Sequence, residues 1–412
     1  MLPTIPVAPI RLADYAEDAG EDAVEELIEA ARPLRGLRML QVNSTAFGGG
    51  VSELLQTQIG LLQDLGIDVT WQLIQGSEDF FAVTKAVHNG MQGAQVEWTQ
   101  SMRDVYLERV RENAGELEDG YDCYWIHDPQ PAALLPFVEE QGRRSGRWIW
   151  RCHIDTSNPM HDVWDFFVPF VNRYDAAVFT MTDYVGPGID GPELAYITPT
   201  IDPLSMKNVY FDPDTANAVL RHYGIDRQRP IVLQVSRFDP WKDPLGVIDA
   251  FQTIKPDFPT AQLVLVGSMA HDDPEGWDFL RMTQEHAGGD RDIHLLTNLE
   301  QVGNLEVNAF QRTATVVLQK SLREGFGLTV SEAMWKRKPV IGGRVGGITL
   351  QIDEGETGFL VDSVDDCASR LAELLSDPIK RHRMGDAGRE RVRRRFLTLR
   401  ELTDYLSLLG RL

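Results

Sequence analysis

The chain has 412 residues, a length that favours two or three domains over one compact core. Its 43% hydrophobic and 25% charged residues exclude wholesale disorder, a collagen-like repeat and a disulfide scaffold. Against 62 acids stand 40 bases, a net charge of −22 that opposes sequence-independent binding to nucleic acid or to an anionic membrane. The three cysteines (Cys123, Cys152, Cys367) are widely spaced with no CxxC, which suggests neither a zinc site nor a disulfide framework and fits a reducing cytoplasm. The amino terminus lacks a basic stretch followed by an apolar core, and no run approaches 18 apolar residues, so the expectation is a cytoplasmic protein with no membrane-spanning helix.

Between Asp14 and Glu29 the sequence carries eight acids and no base, with Val24, Leu27, Ile28 and Ala31 at helical spacing; this predicts an amphipathic helix with an acidic outer face. The next stretch, RMLQVNSTAFGGGVSELLQTQIGLLQDLGIDVTWQLI, reads as strand, glycine turn, helix and strand: a βαβ unit. Apolar runs in YDCYWIH, RWIWRCHID and AAVFTM continue the alternation, with helices near 129–143 and 160–173, so the first half is an open parallel sheet. A Pro-rich passage at 196–213 reads as a linker. Strands at IVLQVS, AQLVLVGS, DIHLLTN, ATVVLQKS, KPVIGG and GFLV then give a second α/β lobe, facing the first across a cleft. The tail from Lys380 to Arg400 has nine bases and two acids, the pattern of a solvated helix docking on acidic bulk.

Four clusters could carry chemistry. Gly48, Gly49 and Gly50 precede a helix, where free amides and the helix dipole favour an anion, although the spacing is not GxGxxG and a ligand-free tight turn would also use glycine. Arg237 and Lys242 follow the strand IVLQV, where cations lie in the ligand crevice of an open α/β sheet and suit a diphosphate; a surface loop with two scattered bases is the alternative. Glu324 and Glu332, with seven residues between them, flank the turn Gly325-Phe326-Gly327-Leu328-Thr329. One carboxylate can accept from sugar hydroxyls and the other from ribose, while the amides of Phe326, Gly327 and Leu328 can meet a phosphate; a helix cap plus a solvated glutamate fits the spacing too. His153 and Asp155 end one strand and His127-Asp128 another, so they could converge on one crevice, although a lone strand-end histidine is more often structural than catalytic.

Together these residues resemble the retaining glycosyltransferases of the GT-B fold, whose second lobe carries Glu, seven residues, Glu. The stretches NSTAFGGGVSELL, RCHID, QVSRFDPWK, LVGSMAHDDPEGWDF, VNAFQR and LQKSLREGFGLTVSEAMWKRKPVIGGRVGGI are similar to the trehalose glycosyltransferring synthases of that group, over about residues 40–362. The resemblance implies two Rossmann-like doubly wound parallel-sheet domains: 1–200 on the acceptor side, including an extension at 1–35; 201–385 for the nucleotide sugar; and a helix at 386–412 crossing back. It implies transfer of glucose from ADP- or UDP-glucose to free glucose with retention, giving α,α-trehalose, with reversibility open.

In that reading Arg237 and Lys242 hold the diphosphate, Glu324 the donor glucose and Glu332 the ribose. Gly48, Gly49 and Gly50 close over phosphates and acceptor, and His153 lies beside the transferred sugar. Asn43, Asp128, Gln130 and Asp155 face the acceptor, and Asn298 and Leu299 in the loop 297–300 meet the base. No carboxylate nucleophile is evident, which favours same-face attack with a phosphate oxygen taking the acceptor proton. The resemblance implies no tightly bound cofactor and no metal site, since cations replace the ion; Asp272 and Asp273 read as local hydrogen bonding, and stimulation by Mg2+ stays open. A homodimer is compatible with the chain, though no interface pattern marks one. The rival readings are a sucrose- or glycogen-synthase-like transferase, a nucleotide-sugar epimerase and a non-catalytic nucleotide-sugar sensor.

Overall fold

A computed structural model describes residues 1–47, 50–269 and 274–412, the side chains of 274 and 275 excepted. The chain forms two compact units, one of residues 1–199 and 398–412 and one of residues 200–397.

The first unit is built on six parallel strands, β1 (Arg38–Asn43), β2 (Asp68–Leu73), β3 (Cys123–His127), β4 (Arg147–Arg151), β5 (Ala176–Phe179) and β6 (Glu193–Tyr196). They lie in the order β2-β1-β3-β4-β5-β6. The strands read as nearly continuous apolar runs because helices cover both faces of such a sheet; all five residues of β3 are buried. Trp148 and Tyr124 stack 4.2 Å apart across β4 and β3, and Trp150, Trp164 and Phe167 extend the same core. Residues 3–5 lie antiparallel along the free edge of β2, with Ile5 N donating to the Trp71 carbonyl at 2.8 Å and Leu73 N to the Pro3 carbonyl at 3.0 Å. An otherwise exposed row of backbone donors and acceptors is thereby paired.

The second unit has β7 (Ile231–Val235), β8 (Gln262–Gly267), β9 (Ile293–Thr297), β10 (Val316–Gln319), β11 (Val340–Gly343) and β12 (Gly358–Val361), in the order β12-β11-β10-β7-β8-β9. Counted within the unit, this is the doubly wound dinucleotide-binding order, whose strand sequence reverses between its first and fourth strands. Here that switch falls between β7 and β10; in the first unit it falls between β1 and β3. The carboxyl ends of those four strands are therefore where crevices open and where ligand-holding residues belong.

Several elements depart from expectation. The acidic amino-terminal helix is broken: Gly20 has φ 97°, and separates a short turn of helix Ala16–Ala19 from helix Glu21–Ala31. Strand β6, which ends at Tyr196 where the passage read as a linker begins, and the helices Glu78–Met91 and Gln100–Glu116 had not been anticipated. The Pro-rich passage is not a loose tether, because the chain leaves the first unit at Pro199 and residues 201–209 are built into the second. Ile201 N donates to the Phe396 carbonyl at 2.9 Å, and Asn308 and Arg312 bond the carbonyls of Met206, Asn208 and Val209.

Position 386 lies inside helix Pro378–Arg395, which belongs to the second unit; the return to the first begins at Thr398. Of the bases in helix Pro378–Arg395, Arg383, Arg393, Arg394 and Arg395 are exposed as a solvated helix predicts, while others are anchored. Arg389 lies 3.9 Å over the Trp335 ring, and Arg391 donates to the carbonyls of Gln351 and Leu350 and pairs with Asp353. Helix Thr398–Leu409 then packs on helix Glu21–Ala31, with Tyr405 against Trp125 at 4.6 Å, while Arg400 bonds the Thr198 carbonyl and hydroxyl, both at 2.7 Å.

Leu402, fully buried in this last helix, makes the dependence testable. Leu402→Ala should cost the first unit about 2–5 kcal/mol, seen as a lower midpoint in thermal denaturation, while Ser407→Ala on the exposed face leaves the midpoint unchanged. Equal midpoints for the two variants would contradict the assignment of this helix to the core.

Candidate functional site

In the second unit the site is assembled where β7 and β10 end. Beyond β7 the chain turns through residues 236–243, and Lys242 is fixed there by its backbone: its N–H donates to Asp239 Oδ1 at 3.1 Å and its carbonyl accepts from Gln234 Nε2 at 2.9 Å. Asp243 follows with φ 47°, a left-handed conformation that aspartate tolerates. Its carboxylate caps helix Pro244–Ile254 and pairs with buried Lys320, which follows β10. The Lys242 side chain crosses to Glu324, Nζ to Oε2 at 2.7 Å, with the two side chains 16% and 10% exposed. Glu324 also accepts from Ser321 Oγ at 3.1 Å and Gln319 Nε2 at 3.3 Å, and Gln319 in turn accepts from the Thr329 hydroxyl at 2.8 Å. Two ion pairs thus tie the end of β7 to the end of β10.

The turn after Glu324 depends on glycine. Gly327 has φ 80°, which favours glycine, and a Cβ on it would also crowd Glu324 Cγ at 3.1 Å. A Cβ on Gly347 would meet the Gly325 carbonyl and Phe326 Cα, each at 2.6 Å. Phe326 is buried against Phe396, which anchors the turn. Helix Leu328–Trp335 begins there with no side chain capping it, leaving its first amides and dipole to favour an anion. Glu324 precedes the helix by four residues, so the two carboxylates do not share a helical face. Glu332 lies inside the helix, buried, accepting from Gln311 Nε2 at 3.1 Å.

The remaining second-unit candidates are spread along the same edge. Arg237 is 66% exposed, its guanidinium 3.2 Å from Asp239. Asn298 brackets Met269, its Oδ1 accepting from the amide at 2.7 Å and its Nδ2 donating to the carbonyl at 3.0 Å, so it fixes the loop after β8. Leu299 and Glu300 line a cavity of about 440 Å³ with Trp277, Arg281 and Gln284. Glu300 itself is turned back onto Thr297 in a capping box.

In the first unit, His127 ends β3 and hydrogen-bonds on both sides, through Nε2 to Gln41 Oε1 at 2.6 Å and through Nδ1 to His153 Nε2 at 3.0 Å. Gln41 turns its amide nitrogen to Met39 Sδ at 3.2 Å, so its oxygen faces the ring. His127 is then protonated on Nε2, His153 donates from its own Nε2, and Nδ1 of His153 is left as an acceptor. Burial is the main cause that lowers both rings, with Arg151 adding to it. His127 falls to about 3 and His153 well below its ordinary value, so both are neutral near pH 7.

Asp128, at φ 65°, accepts from the His153 amide at 2.8 Å, while its own amide donates to the Arg151 carbonyl. Asn43 is engaged locally, donating to the Thr45 carbonyl at 2.6 Å and accepting from Trp71 Nε1 at 2.8 Å. Asp155 accepts from Ser157 N and Oγ, and Gln130 is half-buried beyond β3. Gly50 opens helix Gly50–Asp64; Gly48, Gly49, Asp272 and Asp273 lie outside the described residues. Among the described residues no cluster of His, Cys, Asp and Glu could hold a metal ion, and no helix is long and apolar enough to cross a membrane.

Residues 41–186 match the family described as trehalose synthase, N-terminal domain, and residues 218–391 match glycosyl transferases group 1. A trehalose synthase of Rubrobacter xylanophilus is 50% identical over 97% of this chain and 97% of its own; one of Pyrococcus horikoshii is 45% identical over 98% and 96%. The chain belongs to the trehalose synthase family. Its fold is GT-B, shared at low identity with solved structures. A trehalose-6-phosphate protein from E. coli bound with UDP-2-fluoro glucose has a TM-score of 0.73 at 15% identity, over 91% of this chain and 99% of that one. A sucrose-phosphate synthase from Thermosynechococcus elongatus has 0.71 at 18%, over 91% and 98%.

In this trehalose synthase family member, Gln41, Gln234, Gln319 and Lys320 were not singled out as site residues from the sequence, and His127 entered only as the neighbour of Asp128. Their signal was present: a glutamine inside an apolar strand must find a partner once buried, and Gln41, Gln234 and Gln319 all stand near the carboxyl end of such a strand.

Asp128 gives a pH test. Burial raises its carboxyl to about 6, against opposing help from the His153 amide and Arg151. A carboxyl raised from 3.8 in the folded state favours folding least when ionised, so its cost is absent below pH 4, grows from 4 to 6 and is complete above 6. Part of the side chain keeps solvent contact, which holds that cost to about 1–2 kcal/mol. Asp128→Asn, which keeps the acceptor for His153 N, should therefore be more stable than the parent at pH 7 and equal to it below pH 4 in denaturant titrations. A difference that does not change with pH would contradict this.

Proposed function

We propose that the protein is a retaining hexosyltransferase that moves glucose from a nucleoside-diphosphate glucose to free glucose, forming α,α-trehalose. The observation that carries the reading is the Lys242–Glu324 pair at the switch point of β7 and β10, beside an uncapped helix amino terminus. A carboxylate next to an ammonium and a cluster of amides offers one acceptor for sugar hydroxyls and several positive groups for a diphosphate. Membership of the trehalose synthase family supports glucose as the transferred sugar and trehalose as product.

In this reading departure of the nucleoside diphosphate is the difficult step. Its developing charge meets Lys242, the helix amino terminus and exposed Arg237, so preorganised electrostatics supply most of the acceleration. Glu324 is already committed to Lys242, Ser321 and Gln319, and suits binding rather than nucleophilic attack. The donor therefore ionises with the acceptor hydroxyl arriving on the same face, its proton passing to a phosphate oxygen. His153, neutral, acts as a hydrogen-bonding group beside the sugar and not as a charged acid at pH 7. Electrostatics from the chain alone can do this work, so no resident metal is required; whether Mg2+ accelerates release of the diphosphate is read by adding it or chelating it.

Mixing UDP- or ADP-glucose with glucose and following the products by NMR tests the proposal. Appearance of α,α-trehalose with stoichiometric nucleoside diphosphate is expected. Trehalose from maltose without nucleotide, trehalose from glucose 1-phosphate, or an epimerised donor with untouched glucose would each overturn it. Arg237→Ala should lower turnover by about 10²–10³-fold with an unchanged melting temperature, since its side chain is largely solvent-exposed; full activity would remove Arg237 from the clamp.

A further inference from the structure

Behind Glu332 lies a buried polar chain that the transfer reaction, as argued above, does not use. Lys336 follows helix Leu328–Trp335 one turn after Glu332, and its ammonium is almost wholly buried. Nζ donates to Asn208 Oδ1 at 2.7 Å, Gln311 Oε1 at 2.8 Å and the Glu332 carbonyl at 3.1 Å. Two of these acceptors are fixed independently. The Glu332 oxygen is backbone, and Asn208 uses its amide nitrogen on the Asp202 carbonyl and Ser205 Oγ, at 2.9 and 3.2 Å. The third is adjustable, because the Gln311 amide can present either end. An ammonium has three donors and no acceptor, so it forces the oxygen of Gln311 toward itself and the nitrogen away. That nitrogen meets Glu332 Oε2 at 3.1 Å. The carboxylate, which only accepts, favours the same orientation, so the amide is held from both ends; without the lysine its oxygen loses a charged donor and the glutamine that meets Glu332 is anchored less firmly.

We propose that Lys336 and Gln311 are positioning residues for Glu332, the lysine acting through the glutamine to hold the carboxylate in the orientation that accepts the ribose hydroxyls of the donor. This rests on the reading of Glu332 as the ribose-binding group. Burial lowers the Lys336 ammonium to about 7; Arg312 and Lys207 add to that, and Glu332 opposes it. Measurements at pH 6 therefore read the charged form.

The test compares, at pH 6 by calorimetry, binding of ADP and UDP with binding of their 2′,3′-dideoxy counterparts. The parent should favour the ribonucleotides by about tenfold or more. Lys336→Met, which keeps the volume, and Gln311→Met should each shrink that preference to within about threefold, and the double variant should do no more than either single one. In transfer assays the same variants should raise KM for the nucleotide sugar more than they lower kcat. A parent indifferent to the ribose hydroxyls would overturn the ribose reading of Glu332 itself. A parent that discriminates, with folded variants that keep the full preference or lose both ligands equally, would overturn the relay alone. If Lys336→Met fails to fold, as circular dichroism would show, Gln311→Met decides by the same criterion.

Discussion

The contact on which the second unit's site depends is the ion pair of Lys242 with Glu324. Neither side chain is free to wander: the lysine backbone is held by Asp239 and Gln234, and the carboxylate by Ser321 and Gln319. The neighbouring Asp243–Lys320 pair repeats the tie one residue further on. A pair this withdrawn from solvent is weak evidence for stability, because desolvation offsets much of the attraction. Its value is positional: it sets an ammonium and a carboxylate at fixed places on the rim of the sheet before any ligand arrives, so that binding need not order them.

Sheet order explains why these residues are there. In each unit the strand sequence reverses once, and the groups of chemical interest stand at the carboxyl ends of the two strands on either side of that reversal: Lys242 and Glu324 beyond β7 and β10, Asn43 and His127 at the ends of β1 and β3. Three of these four strands, β1, β7 and β10, carry a buried glutamine near that end, Gln41, Gln234 and Gln319, which satisfies and directs its neighbours. In the first unit the same logic yields a neutral row, Gln41, His127 and His153, in which hydrogen bonds rather than charge define the ring tautomers.

Much of this was legible in the sequence because it rests on local pattern. Apolar runs of four to six residues between helical stretches gave all six strands of the second unit, and glycine at 325 and 327 beside Glu324 marked a turn that Gly327, at φ 80°, requires. Strand β6 escaped because only Ala195 is buried along it and a proline passage follows. Helix Gln100–Glu116 escaped because its buried stripe, Tyr106, Val110, Asn113 and Ala114, is narrow and includes a polar residue, in an otherwise strongly polar segment. The second partners of the site were hidden for a different reason. Lys320 reaches Asp243 across 77 positions, and Lys336 reaches Asn208 across 128, so no spacing rule can join them.

A double-mutant cycle on single-turnover glucosyl transfer, using Lys242→Met, Glu324→Gln and the pair together, tests the central claim most directly. If the two side chains act as one preorganised unit, each single change costs about as much as both, leaving a coupling of at least about 1–2 kcal/mol. Losses that simply add, or a fully active Glu324→Gln, would contradict the account.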